Sequence, residues 1–235
     1  MIRYASYSDV GGRACNEDAA LIRVDGDAVC AVLCDGLGGY GGGDRASRKA
    51  AEIVTGGWEP GADTALLTKL CDEAHRAVLA MQTPDCRMKT TIAVLSYTPG
   101  NVCYAYAGDS RLYHFEDDTL KFQTKDHSAS QIAVMLGQIT PEQIRFHSDR
   151  NRILRALGQN GASDTESGIL SVGSGVNTFL LCSDGFWEFV LEKEMCALLG
   201  QIPDPEQWLA KMRELHDTRA PANCDNNTAA AVRIE

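Results

Sequence analysis

The 235-residue chain lacks most of the short signatures that would declare its chemistry outright. No C-x-x-C pair occurs, so zinc or thioredoxin-type chemistry has little support. There is no G-x-S-x-G, and no cysteine stands beside a base in a recognisable signature, which removes the standard covalent nucleophiles. No stretch approaches the ~18 uninterrupted apolar residues of a membrane span, and the opening MIRYASYSDVGG has no apolar signal-like run. A soluble protein in a reducing, cytoplasmic setting, without membrane contact, is the expectation. Positive charge is also scarce: 22 Lys and Arg against 32 Asp and Glu give a net charge of -10, which repels a nucleic-acid backbone. No heptad pattern or long apolar run calls for an obligate assembly, so a monomer is expected.

What is present suits an ordinary globular chain, 44% hydrophobic and 23% charged. Nine cysteines fall mostly inside apolar runs (Cys30, Cys34, Cys103, Cys182), the setting of buried free thiols. A local group of arginines, Arg145, Arg150, Arg152 and Arg155, alternates with Asn, Ile and Leu across what looks like a helix start. A structural or salt-bridged role is favoured there over a site for an anionic partner.

Short β-branched and aromatic runs at Ala19 to Val24, Ala28 to Cys34, Thr91 to Tyr97, Val102 to Ala107, Arg111 to Phe115, Asn177 to Cys182 and Thr228 to Ile234 predict strands. Helical periodicity marks Ala46 to Val54, Leu66 to Met81, Ser128 to Leu136 and Pro205 to Leu215, and Thr140-Pro141 predicts a further capped start. TPGN and AGDSR read as turns between antiparallel neighbours, and the helices are grouped rather than interleaved one by one. The pattern is α+β and layered.

Gly36, Gly38 and Gly41 fit G-x-G-x-x-G after a strand, but TGGWEPGAD then leads into another helix instead of the second parallel strand a dinucleotide site needs. The glycines form a turn, and a carboxylate precedes them. Asp35, Asp184 and Asp225 each stand where an apolar run stops or starts, and Asp109 follows another. Any one of them is an ordinary turn residue. Gathered at one sheet edge they would repel, so a shared location requires divalent cations or arginines. Arg13, five residues before Asp18, has the geometry to clamp phosphate oxygens. Hydrolysis by metal-activated water is the chemistry that remains.

GGRACNEDA, VLCDGLGGYGGGDRAS, KTTIAVL, AYAGDSRLY, TKDHS, RNRILRALG, LLCSDGFWE and DNNTAAAV occur in the order and spacing of the bacterial metal-dependent protein phosphatases of the protein phosphatase 2C family, which the chain resembles from about Gly11 to Val232. The resemblance implies a four-layer α-β-β-α sandwich with two antiparallel sheets and a binuclear Mn2+ or Mg2+ centre at one edge. It implies one catalytic domain over 1–235, with a flap at about 128–150. Asp35 would bridge two ions, the Gly36 carbonyl would bind one, and Asp184 with Asp225 would hold the other. Glu17 and Asp18 would orient the waters, Asp109 with Asp184 would bind a third, weaker metal, and Arg13 would hold the substrate phosphate.

The implied reaction is attack of a metal-bridging water on phosphoserine or phosphothreonine in proteins, reversing a serine/threonine kinase. Two departures stand out. Leu37 replaces the histidine of eukaryotic relatives, so leaving-group protonation is expected from metal-bound water; His127 is expected to pack structurally. Lys89 replaces a common glycine and could alter a local turn. A phosphatase-like module that binds phosphoproteins without turnover, and a phosphatase for small phosphomonoesters, are the alternatives.

Overall fold

The computed structural model describes residues 1–235, with every side chain except that of Tyr40. Among the described residues, ten strands make two five-stranded antiparallel sheets. One runs β1 (Ile2–Asp9), β10 (Asn227–Ile234), β9 (Asn177–Cys182), β6 (Arg111–Glu116), β7 (Thr119–Gln123). The other runs β2 (Asp18–Asp25), β3 (Ala28–Asp35), β4 (Ile92–Thr98), β5 (Asn101–Ala107), β8 (Glu166–Ile169).

Period-two alternation sorts each strand's side chains between two cores. From β3, Val29, Ala31 and Leu33 enter the seam between the sheets, where they meet Phe179 and Leu181 of β9 and Ala230 and Val232 of β10. Cys30, Val32 and Cys34 point the other way, into a cluster with Ala50 and Val54 of α1 (Gly43–Gly57) and Leu67 and Leu70 of α2 (Thr64–Met81). On the far side, Leu180, Cys182, Ala229 and Ala231 pack with Trp208 and Met212 of α6 (Pro205–Arg219) and Met195 of α5 (Glu192–Leu199). Strands β3, β9 and β10 are buried on both faces because each is covered by a sheet on one side and helices on the other. The four-layer sandwich follows. The buried cysteines Cys30, Cys34, Cys103 and Cys182 are free thiols within these layers.

Two expectations need correction. AGDSR is no hairpin: β5 and β6 belong to different sheets, and the segment carries the chain across the sandwich. It is pinned there by a 2.7 Å hydrogen bond between the Thr91 and Ser110 hydroxyls and by Trp187 Nε1 donating to the Asp109 carbonyl. The segment holding Arg150, Arg152 and Arg155 is not a helix start but an extended loop, bridged to its neighbours at Ser128↔Ile153 and Thr90↔Leu157. Strands β1, β7 and β8, and helix α5, carry too little apolar patterning to announce themselves; β8 is only ESGI. Thr140-Pro141 does open a helical turn, a 3-10 segment at Pro141–Phe146 with a capping box to Gln143. It packs with α3 (Ala129–Met135) beside the cleft-lining loop at Asn151 to Ala156.

Candidate active site

Asp35 ends β3 and Asp18 begins β2, and the two are direct partners in the antiparallel ladder. Sheet register alone therefore brings these carboxylates onto neighbouring strands. The Asp35 backbone is fully engaged: its N–H donates to Thr91 Oγ1 (2.9 Å), while its carbonyl accepts from Thr91 N (2.8 Å) and Thr90 Oγ1 (2.9 Å). Gly36 continues the turn, and its N–H donates to the Glu17 carbonyl at 3.0 Å. A Cβ at Gly36 would sit 2.3 Å from the Gly43 carbonyl oxygen and 2.6 Å from that of Glu17, so only glycine fits this crossing. At Gly36 the absence of a side chain serves this close backbone approach. Lys89 is compatible with the turn: its φ is not positive, and its carbonyl accepts from Leu37 N at 3.0 Å.

Asp184 comes from the opposite sheet, opening the short helix α4 (Asp184–Trp187) just after β9. Gly185 lets this helix press on the entry to β10, since a Cβ there would lie 2.2 Å from the Asn226 carbonyl oxygen. Asp225 precedes β10 and accepts Arg13 Nη2 on Oδ2 at 2.7 Å. Ser183 joins the two sheets, donating to Asp18 Oδ2 (2.8 Å) and accepting from Thr228 N (3.0 Å).

Six of the proposed residues, Arg13, Glu17, Asp35, Gly36, Asp184 and Asp225, line one cleft of about 650 Å³. Asp18 and Asp109 do not line it. Asp18 faces Asp35 from the neighbouring strand, and Asp109 is 2% exposed, close enough to Asp184 for that charge to raise its proton affinity. His127 stands apart from the lining, stacked on Tyr106 at 4.6 Å and accepting from Gly108 N on Nδ1, which is the structural role expected.

Electrostatics of the cluster bear on what it can hold. Burial, then the mutual repulsion of Asp18, Asp184, Asp109 and Asp225, pushes the Asp35 carboxyl well above its usual range. Burial and Asp184 do the same to Asp109. Burial leads again for Asp184, pushed up to about 7, and for Asp18, pushed up to about 6. Asp18 Oδ1 and Asp109 Oδ1 are buried with no hydrogen-bond partner. Unpaired buried carboxylate oxygens carry a large desolvation cost that a hard cation offsets. Among the described residues no three His, Cys, Asp or Glu side chains are grouped as a ready-made cage. Cations of the magnesium type keep several waters and take only one or two carboxylates each, so spread oxygen donors fit them better than a closed cage would. The donor set suits divalent cations of that kind.

The sequence did not single out Asn226, which organises the Arg13 loop. Its Nδ2 donates to the carbonyls of Val10 (2.8 Å) and Cys15 (3.0 Å), and its Oδ1 accepts from Glu17 N (2.9 Å). Only its place beside Asp225 in DNNTAAAV hinted at this.

A family model described as protein phosphatase 2C matches residues 7–229. The serine/threonine phosphatase stp of Listeria innocua is 31% identical over 216 residues, covering 87% of this chain and 83% of that protein. The serine/threonine protein phosphatase PstP of Mycobacterium tuberculosis is 35% identical over 225 residues, 92% of this chain and 42% of that protein. A solved structure of the PstP catalytic domain in complex with two manganese ions superposes with a TM-score of 0.81 at 30% identity, covering 100% of this chain and 99% of that one. Matching nearly end to end in sequence and in layered fold, the chain belongs to the protein phosphatase 2C family.

Proposed function

We propose that this protein is a metal-dependent serine/threonine phosphatase that hydrolyses phosphoserine and phosphothreonine in proteins. The observation that carries this reading is the convergence of carboxylates from both sheets with Arg13 in a single cleft, above buried carboxylate oxygens that lack partners. Asp35, the Gly36 carbonyl, Asp184 and Asp225 would hold two Mn2+ or Mg2+ ions, and Asp109 with Asp184 a third. Bound there, a pair of divalent cations supplies a water acidic enough to act as nucleophile near neutral pH and positive charge for the phosphoryl oxygens.

The remaining roles belong to the chain itself. Arg13 binds the phosphate oxygens, its fork matching their geometry, and Asp225 holds its guanidinium at the cleft wall. Glu17 and Asp18 orient water, Glu17 being fixed through Gly43 N on Oε1 at 3.2 Å. Leu37 can neither give nor take a proton, so the departing serine or threonine oxygen takes its proton from water in the cleft. Water and phosphomonoester become a free hydroxyl and inorganic phosphate.

The whole chain, 1–235, acts as one catalytic domain with residues 128–150 as a flap beside the cleft. It works as a monomer in the cytoplasm on substrates of a serine/threonine kinase; among the described residues no helix is long and apolar enough to cross a membrane. The test is release of phosphate from phosphoserine and phosphothreonine peptides with manganese and with excess chelator. Full activity in chelator overturns the reading.

A further inference from the structure

The arginine group at 145–155 divides by partner. Arg145 is buried against Glu192 at 2.5 Å, Arg150 holds Glu188 at 2.5 Å, and Arg155 meets His127 Nε2 at 3.2 Å. Arg152 differs: among the described residues its guanidinium has no ion pair or hydrogen bond, it is exposed, and it lines the cleft. Its backbone is nonetheless fixed, with its N–H on the Asp149 carbonyl and its carbonyl accepting from Ala129 N, both at 3.0 Å. A firmly placed loop thus presents an uncommitted cation to a cleft otherwise dominated by carboxylates, on a chain whose net charge of -10 repels acidic ligands elsewhere. Arg13 and Lys89 are the other positive residues of this lining.

We propose that Arg152 selects phosphorylated segments that carry acidic side chains next to the phosphoserine or phosphothreonine. The proposal rests on the phosphatase reading and adds the substrate class. Arg13 lies beside the carboxylates on the Asp225 wall, whereas Arg152 belongs to the loop that follows the flap. The pairing of Arg13 with Asp225, a proposed metal ligand, assigns it to the phosphate, and the exposed, unpaired Arg152 is assigned to the flanking chain. A charge at a cleft mouth acts chiefly on partner choice, and its effect is screened by salt.

The test compares two phosphothreonine peptides of equal length, one flanked by glutamates and one by lysines, with the intact protein and manganese. The wild type should favour the acidic peptide by about fivefold in kcat/KM at low ionic strength, a scale set by exposed ion pairs. The preference should fade near 1 M salt, where screening acts within about 3 Å. Arg152→Ala should bring the ratio close to one, and Arg152→Glu should invert it. Because the readout is a ratio within one sample, partial loss of folded protein does not move it.

Equal wild-type rates on both peptides overturn the assignment. So does an unchanged ratio in Arg152→Glu, or an equal loss on both peptides in Arg152→Ala, which would make Arg152 a second phosphate contact. If neither peptide is hydrolysed, the phosphatase reading falls. Binding of the same two sequences as non-hydrolysable phosphonates still decides the role of Arg152, with a Kd ratio near one overturning it.

Discussion

The indole Nε1 of Trp187 donates to the main-chain carbonyl of Asp109 across 2.9 Å, tying the short helix that begins at Asp184 to the segment that crosses between the sheets. On the same ring the Arg111 guanidinium lies 3.5 Å from the centroid, held from its other side by two 2.8 Å bonds to Asp126. Trp187→Phe keeps a ring but leaves a buried carbonyl without its donor. It should cost about 1–3 kcal/mol of stability, read as a lower denaturation midpoint in urea with an unchanged slope.

Asp35→Asn and Asp184→Asn keep side-chain volume while removing charge from the proposed metal ligands. Each should abolish manganese-dependent hydrolysis of p-nitrophenyl phosphate, exceeding the roughly 10- to 100-fold losses typical when only outer partners of a metal site change. A variant within tenfold of wild type at saturating manganese would remove that residue from the set.

Arg13→Ala removes the guanidinium that faces the phosphate and frees Asp225 Oδ2. A charge-assisted hydrogen bond is worth about 1.5–3 kcal/mol. The expected result is therefore a fall of roughly 10- to 100-fold in kcat/KM, carried mainly by KM. A loss confined to kcat would point to a role in the chemical step instead.

Asp109→Ala should spare the Asp35–Asp184–Asp225 set, since Asp109 lies outside the cleft lining. Turnover should fall, with a shift to higher manganese requirement. Rates identical to wild type at limiting manganese would contradict a third-metal role.

Removing metal should make stability depend on pH in a definite direction. In the metal-free fold burial raises Asp184 to about 7 and Asp18 to about 6, against an ordinary 3.8. Between those values the folded chain keeps protons that the unfolded chain has released. The contribution of these groups is thus favourable at low pH and is lost as pH rises from about 4 to about 7. Divalent cations bind the ionised forms and compete with those protons. The rise in melting temperature from chelator to manganese should therefore be larger at pH 8 than at pH 6. Equal rises at both would show that the cations bind elsewhere.

Much of the site could be read from the chain because its residues mark boundaries. Asp35 ends a strand, and Asp184 and Asp225 are each separated from one by a single residue. A switch from apolar run to Asp-Gly is local, and so is the alternation that sorts Val29, Ala31 and Leu33 from Cys30, Val32 and Cys34. Where local signals failed, the reason is equally physical. Strand β1 alternates only weakly because it is a sheet edge with much of its surface in solvent, and AGDSR has turn chemistry whichever sheet receives the next strand.

The sequence by itself determined which carboxylates end or precede strands, which faces are apolar, and the family to which the blocks belong. Only the tertiary structure decided that Asp18 faces Asp35, that Asn226 holds the Arg13 loop, that Asp109 is buried within reach of the charge of Asp184, and that Arg152 alone of its group has no side-chain partner among the described residues. Local chemistry is written within a few neighbouring residues. Partnership between groups some 200 positions apart, such as Arg13 with Asp225 or Glu17 with Asn226, exists only once two sheets have set their registers and packed.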